Sequence, residues 1–310
     1  MVPLSLSKPV NTLLLPLPSK KLPFCCVCSS KSSDMEKGIR GGQRLMEFPH
    51  LSAPHKDLMV SLISAFETRL DSHLLPSLVP PDVEYYQNHS GTSQGTLLIR
   101  PGIVSSPIDF ILASWLHLEL PTGGAMNITN LQGYLKPSTD APHFQFELVQ
   151  CNPTYLIFFL DLTPRKDLVL YPDYLKTFYE DNKLEALRQQ LDQVSEIKPY
   201  FSSSLHFRSV VSPTGILVSI KCTGDGAQRA GEIIRDNISH VANEVMEIWM
   251  YNCVCRVRDI GDYERAQLEK RDRLIKSKAI EMDLSSSLPM QFGQEVADRV
   301  LEVIKGAFNI

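Results

Sequence analysis

The stretch HFQFELVQCNPTYLIFFLDL, residues 143–162, decides the fold, because it predicts two neighbouring strands at the centre of a sheet. In its first half the apolar residues Phe144, Phe146 and Leu148 alternate with polar ones. A period of two is typical of a strand with one apolar face and one polar face. Glu147 is therefore expected on the face that the phenylalanines do not use.

The second half of the stretch completes the strand pair. Cys151-Asn152-Pro153-Thr154 has the composition of a turn, because Asn and Pro both favour chain reversal. The run 155–160 is almost wholly apolar, which is typical of a strand covered on both faces. Such a pair belongs in the middle of a sheet.

Two interpretations of Glu147 are open at this point. Burying a carboxylate is costly unless the group is paired, hydrogen-bonded or protonated. In the first interpretation His143, Gln145 and Glu147 lie on a solvated face, since antiparallel sheets often leave one face in water. In the second, this face forms the floor of a pocket beneath a layer of helices.

The composition is that of an ordinary soluble globular protein. The chain has 310 residues, of which 43% are hydrophobic and 21% charged, and its formal charge is −4. No apolar run reaches the ~18 residues that a membrane helix needs, so we expect a chain that does not span a membrane. The negative charge, without a basic patch that contains aromatic residues, argues against nucleic-acid binding.

The N-terminal segment differs in kind from the rest of the chain. Residues 1–33 contain four Lys, seven Ser and no Asp or Glu. Acid-poor, Ser-rich leaders are typical of organellar transit peptides, and this one lacks the Arg-rich amphipathic helix of mitochondrial presequences. We therefore predict a plastid transit peptide over 1–33, a flexible linker over 34–45 and a single domain over 46–310. The four cysteines beyond the leader are scattered except for Cys253-Val254-Cys255, which fits a reducing compartment.

The remaining periodicities predict helices and strands in alternating groups. Helices are expected over 52–75, 165–182, 183–191, 229–254, 263–282 and 295–308. Strands are expected over 95–100, 106–120, 125–135, 204–212 and 214–221, besides the pair within 143–162. The segments 76–94 and 285–293 are expected to be a long loop and a break.

These elements indicate the α/β class. No helix-length segment separates the strands between 95 and 162, which favours an antiparallel meander over a βαβ series. The strands at 204–212 and 214–221 are expected to close the same sheet as a hairpin. The charged helix 263–282 is expected to present mostly a solvated face. We predict a three-layer α/β/α sandwich whose central, mostly antiparallel sheet is flanked by helices.

No familiar catalytic motif is present in the sequence. Gly224-Asp225-Gly226 lacks the third glycine and the context of a dinucleotide-binding unit. The patterns G-x-S-x-G and H-E-x-x-H do not occur. Cys253-Val254-Cys255 has no second metal-spaced pair, so we do not expect a zinc site.

Several blocks of the sequence resemble one family. They are MEFP at 46–49, SPIDF at 106–110, NIT at 127–129, RKDLVL at 165–170, PDYLK at 172–176 and EKRD at 269–272. In this order, from about Met46 to the C-terminus, they resemble the red chlorophyll catabolite reductases of plants. The resemblance implies a fold similar to the ferredoxin-dependent bilin reductases, in which an open-chain tetrapyrrole lies between the sheet and the C-terminal helices.

The resemblance also implies an activity. We expect reduction of red chlorophyll catabolite at its C20/C1 double bond to the primary fluorescent catabolite. Single electrons would come from reduced ferredoxin, with no bound flavin, metal or nicotinamide. The alternative is a non-catalytic protein that sequesters this phototoxic tetrapyrrole.

Two acids match the family's catalytic and substrate-binding carboxylates. Glu147 lies in FQFEL at 144–148, and Asp283 lies in IEMDL at 280–284. The second match is looser, because Glu281 is a neighbouring acid and Met282 replaces an expected acidic residue. A carboxyl group held protonated by an apolar pocket can supply the proton that a tetrapyrrole radical anion needs. The competing role for both acids is to orient the substrate through hydrogen bonds.

Val211, in RSVVSP at 208–213, is the third expected substrate-binding residue. It matches the family position where Phe or Val changes which face of C1 receives hydrogen. We therefore expect it to set the stereochemistry of the product rather than the rate. Without the resemblance, Val211 reads as a core valine.

Partners and location follow from the same resemblance. Ferredoxin is acidic as a class, so its docking surface should be a local basic patch. The candidates cluster on one predicted helix, where they could equally form a solvated face: Lys270, Arg271, Arg273, Lys276 and Lys278. We further expect a homodimer in the chloroplast stroma that meets the upstream ring-opening oxygenase.

Overall fold

The computed structural model describes residues 44–121, 123–254 and 260–310, apart from the side chains of 252–254 and 283. This part of the chain contains an eight-stranded sheet in which every neighbouring pair is antiparallel. The strands are β1 Tyr85–Gln87, β2 Ser93–Pro101, β3 Ile108–Glu119, β4 Ala125–Leu135, β5 His143–Asn152, β6 Tyr155–Thr163, β7 Ile197–Pro199 and β8 Ile216–Lys221. The first six follow one another as a meander, β8 pairs with β6, and β7 forms the edge beyond β8.

Helices cover both faces of this sheet. In the described part they are α1 Ala53–Leu70, α2 Pro81–Glu84, α3 Pro172–Leu175, α4 Leu184–Asp192, α5 Leu205–Val210, α6 Gly226–Ile233, α7 Ser239–Val254, α8 Asp262–Ala279, α9 Ser285–Phe292 and α10 Gln294–Phe308. One π-helical turn extends α3, a second joins α6 to α7, and a third joins α8 to α9: Lys176–Glu180, Ile234–Ile238 and Ile280–Leu284.

The first face of the sheet, which carries Phe144 and Phe146, holds the larger apolar core. Both rings are fully buried beneath α1, α6 and α7. Burying a side chain of this size contributes about 1.5–3 kcal/mol. Trp249 of α7 stacks on Phe66 of α1 with 5.4 Å between ring centroids. Gly133 of β4 makes room for this layer, because a Cβ there would lie 2.5 Å from the Trp249 ring.

The second face, which carries Glu147, is closed mainly by the C-terminal helices. Apolar side chains of α9 and α10 pack over β2 to β4, while α5 and α8 pack over β6 and β8. Glu147 is 5% exposed, and its neighbours Gln145 and His143 are also buried. The three-layer α/β/α sandwich is thus confirmed. The interpretation of this face as solvated is wrong, because helices distant in sequence cover it.

The predicted strand at 204–212 is wrong, because this segment forms helix α5. Ser204 is the N-cap residue, and its Oγ accepts a hydrogen bond of 3.1 Å from the N–H of Phe207. Serine at this position starts a helix by satisfying one of its free N–H groups. As a result β8 forms no hairpin with 204–212, and it pairs with β6 and β7.

Two predictions of irregular structure are also wrong. The expected loop at 76–94 contains α2, which begins at Pro81, and the edge strand β1. Proline suits the first position of a helix, where no partner for its missing N–H is needed. The expected break at 285–293 contains α9, because Leu288 and Phe292 lie one turn apart and are buried on the second face.

The helix expected over 165–182 is shorter than predicted. Helical structure begins only at Pro172 and continues to Glu180. Before it, the carboxylate of Asp167 accepts hydrogen bonds from the N–H groups of Val169 and Leu170, at 2.8 and 2.9 Å. An aspartate that caps two following N–H groups favours a turn over a helix interior.

The predictions for the N-terminal segment lie largely outside the described residues. These comprise the transit peptide over 1–33 and the linker over 34–45 as far as residue 43. Leu45 and Phe48 are buried in the core of the first face, so the described chain is packed from there onward. Within the described ranges, we find no helix whose length and apolar character would let it cross a membrane.

Candidate functional site

Two of the three predicted site residues lie on the second face of the sheet. Glu147 lies midway along β5, directly opposite Asn130 of β4 and Phe159 of β6. Val211 follows α5, is half-buried and packs on the apolar cluster that contains Phe159. The main chain of Asp283 lies in the π-helical turn after α8, and its side chain is outside the described part. That turn packs on the same face of the sheet through neighbouring apolar residues.

Buried polar side chains cross the second face beside Glu147, and we call them the polar strip. Two cross-strand rows form it, with Ser114, Asn130 and Glu147 in one row and Gln132, Gln145 and Asp161 in the next. All six side chains are buried. Residues directly opposite each other in a sheet have Cβ atoms about 4.5–5.5 Å apart. A flat ligand lying on this face would therefore contact several of these groups at once.

Apolar side chains border the polar strip on both sides. On the side of β2 to β4, a cluster that includes Leu112 and Ile128 packs against α9 and α10. On the side of β6 and β8, Phe159 packs with Phe207 of α5 and Ile275 of α8. The polar strip therefore lies between two apolar clusters, which we call its apolar walls. The helices that pack on this face exclude water from it.

Two side-chain amides of the polar strip, those of Asn130 and Gln132, have no hydrogen-bond partner among the described residues. In each, both the oxygen and the nitrogen are without a partner, although each residue is 0% exposed. An unsatisfied buried polar group costs roughly 1–3 kcal/mol, and buried polar groups in proteins are as a rule hydrogen-bonded. Such groups lower the stability of the fold, which is the pattern expected where a ligand binds.

Asp161 is a second buried carboxyl group in the polar strip, and the sequence analysis did not single it out. It accepts hydrogen bonds from the backbone N–H and the hydroxyl of Ser212, at 3.0 and 2.9 Å. Burial raises the pKa of Asp161 well above its usual value, and the hydrogen bonds oppose this shift. The signal that could have found it is its position as the one acid within the apolar run 155–162.

Val211 lies where the polar strip meets its apolar wall. The chain approaches this point closely at Gly215, where a Cβ would lie 2.6 Å from Cγ1 of Val211 and 2.7 Å from Oδ2 of Asp161. The loop that follows α5 therefore rests directly on the strip. The size of the side chain at 211 is thus able to change how a ligand lies on this face.

The buried side of α8 carries charges that the sequence analysis expected in solvent. Asp272 accepts hydrogen bonds from Nη2 and Nε of Arg165, at 2.6 and 3.2 Å, and from Nε2 of His143 at 3.1 Å. Burial alone would raise the pKa of Asp272, but the charge of Arg165 and the hydrogen bonds outweigh it and hold that pKa well below its usual range. Burial lowers the pKa of His143 to about 4, so this ring is neutral at pH 7.

Lys276, one turn after Asp272, is buried as well. Its Nζ donates to Asp109 at 2.8 Å. It also lies 5.0 to 5.8 Å from three ring centroids, those of Phe110, Tyr134 and Phe308. The prediction that the charges of α8 form mostly a solvated face is therefore wrong for these two residues.

The basic residues of α8 do not form one open patch. Lys276 is enclosed, and Lys278 pairs with Glu281 at 2.6 Å. Arg271 donates to the carbonyl of Pro164 at 3.0 Å. The predicted docking cluster thus loses its most buried member, Lys276.

An open groove of about 520 Å³ lies between α8, α5 and the loop after β6. It shares Val210 and Ile275 with the apolar wall of the polar strip. Its charged lining is Arg165, Lys166, Asp167, Glu264, Lys270 and Arg271. The lining thus has four cations and two anions, but Lys166 is paired with Glu264 and with Asp140 outside the groove, and Arg165 is paired with the buried Asp272. The cations of the groove without an ion pair among these contacts are Lys270 and Arg271.

Within the described ranges, no group of three or more His, Cys, Asp or Glu residues is arranged to hold a metal ion. The side chains of Cys253-Val254-Cys255 lie outside the described part of the chain.

Comparison with known proteins finds one family. A family model described as red chlorophyll catabolite reductase (RCC reductase) matches residues 54–306. A protein of Arabidopsis thaliana named "Red chlorophyll catabolite reductase, chloroplastic" is 45% identical over 271 residues, which cover 86% of this chain and 84% of that protein. A protein of Oryza sativa subsp. japonica named "Red chlorophyll catabolite reductase 1, chloroplastic" is 41% identical over 258 residues, covering 83% and 78%.

A solved structure shares the fold. Phytochromobilin synthase from tomato, in complex with biliverdin, superposes with a TM-score of 0.59 over 82% of this chain and 83% of that one. The sequence identity of that pair is 18%, so the similarity is one of fold.

Proposed function

This chain belongs to the red chlorophyll catabolite reductase family, and we propose from that premise that it reduces red chlorophyll catabolite to the primary fluorescent catabolite. It is an oxidoreductase that acts on a tetrapyrrole. In the proposed step two electrons and two protons add across the C20/C1 double bond. Two molecules of reduced ferredoxin each supply one electron and are oxidised, with no bound cofactor in between.

The observation that carries the proposal is the pair of buried amides beside Glu147. An open-chain tetrapyrrole presents pyrrole N–H donors and lactam carbonyl acceptors, and the side chains of Asn130 and Gln132 offer both complementary groups. The apolar walls suit its flat conjugated system and its alkyl substituents. The tomato synthase, which shares the fold, is in complex with biliverdin, another open-chain tetrapyrrole.

Glu147 is the group to which we assign proton supply. Adding one electron to the pigment gives a radical anion, which must be protonated at carbon before the electron returns. Glu147 is 5% exposed and lies between apolar walls, so bulk water does not compete for this transfer. Carboxyl groups in such sites act as general acids. Asp283 is the proposed second acid, since its main chain lies in a turn that packs on the same face.

Val211 is the proposed steering residue for stereochemistry. It stands at the border of the polar strip, next to the ring of Phe159 that lies opposite Glu147. A small side chain here leaves one side of the bound pigment open. The proposal is that its size decides which face of C1 receives hydrogen.

The proposal extends to location and assembly. The two plant relatives are named chloroplastic, which places this enzyme in the chloroplast, and we assign it to the stroma. A homodimer that receives the pigment from the ring-opening oxygenase is part of the same proposal.

An anaerobic assay tests the function. The protein is incubated with red chlorophyll catabolite and reduced ferredoxin, and the appearance of a blue-fluorescent product is followed. A parallel sample with oxidised ferredoxin should give none, because it supplies no electrons. If the pigment binds but stays unchanged with reduced ferredoxin, the protein sequesters its ligand and the proposed reaction is wrong.

A further inference from the structure

Three of the sequence blocks that carry the family resemblance supply residues to two groups of charge pairs between the sheet and α8. Asp109 comes from SPIDF, Arg165 from RKDLVL and Asp272 from EKRD. Together with His143 and Lys276 they join the sheet to α8, and we call these five residues the α8 clamp. We propose that the α8 clamp positions the π-helical turn Ile280–Leu284 over the polar strip and so sets the geometry of the reaction. This inference rests on the proposed function.

The first anchor of the clamp is Asp272. Arg165, which follows β6, makes two hydrogen bonds to its carboxylate, and such bidentate pairs fix geometry as well as distance. His143 of β5 adds a third. The Nδ1 atom of His143 accepts a hydrogen bond from the N–H of Leu135 at 3.1 Å, so its hydrogen is on Nε2 and points to Asp272. Every partner is thus held in one orientation.

The second anchor is Lys276, one turn further along α8. Its ammonium group is paired with Asp109 of β3 and surrounded by aromatic rings from β3, β4 and α10. Cation–π contacts strengthen when the cation is desolvated, and Lys276 is 6% exposed. Two consecutive turns of α8 are therefore fixed to the sheet at separate strands.

The clamp joins the two elements that carry the predicted acids, since β5 carries Glu147 and α8 leads to Asp283. β5 carries both His143 and Glu147 on its second face. α8 runs without a loop into the turn that contains Asp283. π-helical turns are frequent at functional sites. A displacement of about 1 Å of a group near the reacting atoms can cost roughly 100-fold in rate. A shift of α8 against β5 would therefore change the distance between Glu147 and the turn that contains Asp283.

A proton relay and a purely stabilising role both fit the α8 clamp less well. His143 is unable to pass a proton through its ring, because Nδ1 is occupied by the N–H of Leu135. Replacing a buried ion pair by apolar residues is often neutral or even stabilising, so stability alone does not account for the clamp. Positioning explains why both anchors lie on the one helix that leads to residue 283.

Removing both charges of one anchor together tests the proposal. In Arg165→Met combined with Asp272→Asn, no charge is left uncompensated, and the asparagine oxygen still accepts from His143. The matched control is Arg100→Met combined with Glu67→Gln. Arg100 is also a buried arginine, and it pairs with Glu67 and with the exposed Asp71, but it lies on the first face. A second clamp variant, Lys276→Met with Asp109→Asn, covers the case in which the first does not fold.

Two measurements separate positioning from stability. By hydrogen exchange with mass spectrometry, amides of 280–284 should exchange at least ~10-fold faster in the clamp variant while those of β5 stay protected, since opening free energies are local. In the pigment assay kcat should fall by about 10-fold or more and the C1 product should become a mixture of epimers, whereas KM changes little. The control variant should show neither change.

Either of two results would overturn the proposal. One is wild-type exchange at 280–284 in a folded clamp variant, and the other is an unchanged kcat with a single epimer. If the unmodified protein fails to turn over the pigment, the proposed function is wrong. The exchange measurement then still decides whether the clamp holds the turn.

Discussion

Replacing Asn130 by leucine should make the protein more stable and less able to hold its pigment. The side chain of Asn130 is 0% exposed, and neither of its polar atoms has a partner among the described residues. Removing an unsatisfied amide should recover about 1–3 kcal/mol. Leucine is slightly larger, and overpacking offsets part of this gain. We therefore expect the free energy of unfolding to rise by ~1–2 kcal/mol.

The matched control lies on the same strand. Asn127 is also buried, but its Oδ1 accepts from Nδ1–H of His117 at 3.0 Å and its Nδ2–H donates to the carbonyl of His50 at 3.4 Å. Asn127→Leu removes both bonds and leaves the imidazole N–H without its acceptor. The same substitution should here lower the free energy of unfolding by about 1–3 kcal/mol. The two variants are thus expected to change stability with opposite signs.

Urea unfolding followed by far-UV circular dichroism, without pigment, measures both effects. Pigment affinity is measured by absorbance titration under anaerobic conditions. Loss of one hydrogen bond to the pigment should weaken binding by Asn130→Leu about tenfold, which corresponds to ~1.4 kcal/mol. If Asn130→Leu loses as much stability as Asn127→Leu, or binds pigment as the wild type does, Asn130 is not a ligand-binding group and the reasoning fails.

Three further predictions concern the acids, the stereochemistry and pH. Glu147→Gln and Asp283→Asn should each lower the turnover number by at least ~100-fold with the circular dichroism spectrum unchanged, and wild-type rates in both would remove the acid assignment. Val211→Phe should change the C1 epimer seen by chromatography with little change in rate, and an unchanged epimer would contradict its steering role. Burial lowers the pKa of His143 to about 4 and that of His55 to about 3, so between about pH 6.5 and 4 the unfolded state binds protons that the folded state does not. Each histidine should therefore lower the stability by about 3 kcal/mol as the pH drops from 6.5 to 4, while the raised pKa of Asp161 acts in the opposite direction. The urea midpoint should fall over this range, and a midpoint that rises would contradict the prediction.

The central strands could be predicted because their signals are local. The alternation around Phe144 and the turn at 151–154 lie within one short stretch, and strand pairing across a turn needs no distant partner. Helix α5 could not, since it has only six residues and depends on one serine cap. The three-residue strand β7 gave no pattern to detect, because its place in the sheet is set by pairing with β8.

The site was predictable only in part, and for a related reason. A period of two tells which face Glu147 uses, but that face is covered mainly by α8 to α10, more than a hundred residues later in the chain. Asp272 and Lys276 read as solvated charges because the groups that bury them are distant in sequence. Asp161 lies within an apolar run, so its pattern predicts only a buried strand. Its hydrogen bond from Ser212 could not be predicted, because Ser212 belongs to a loop about fifty residues later in the chain.

The helices that close most of the second face, α8 to α10, are synthesised after every strand of the sheet. Before α8, α9 and α10 leave the ribosome, strands β1 to β8 can already pair, but the apolar residues around Leu112 that these helices cover face water. A chain in this state is prone to self-association, as partly folded intermediates with bare apolar surface are. Because of this order, the polar strip is covered only after α8 to α10 have been synthesised. A chain that ends before α8 therefore lacks the cover that shields Glu147 from water, and the proposed proton transfer should not occur in it.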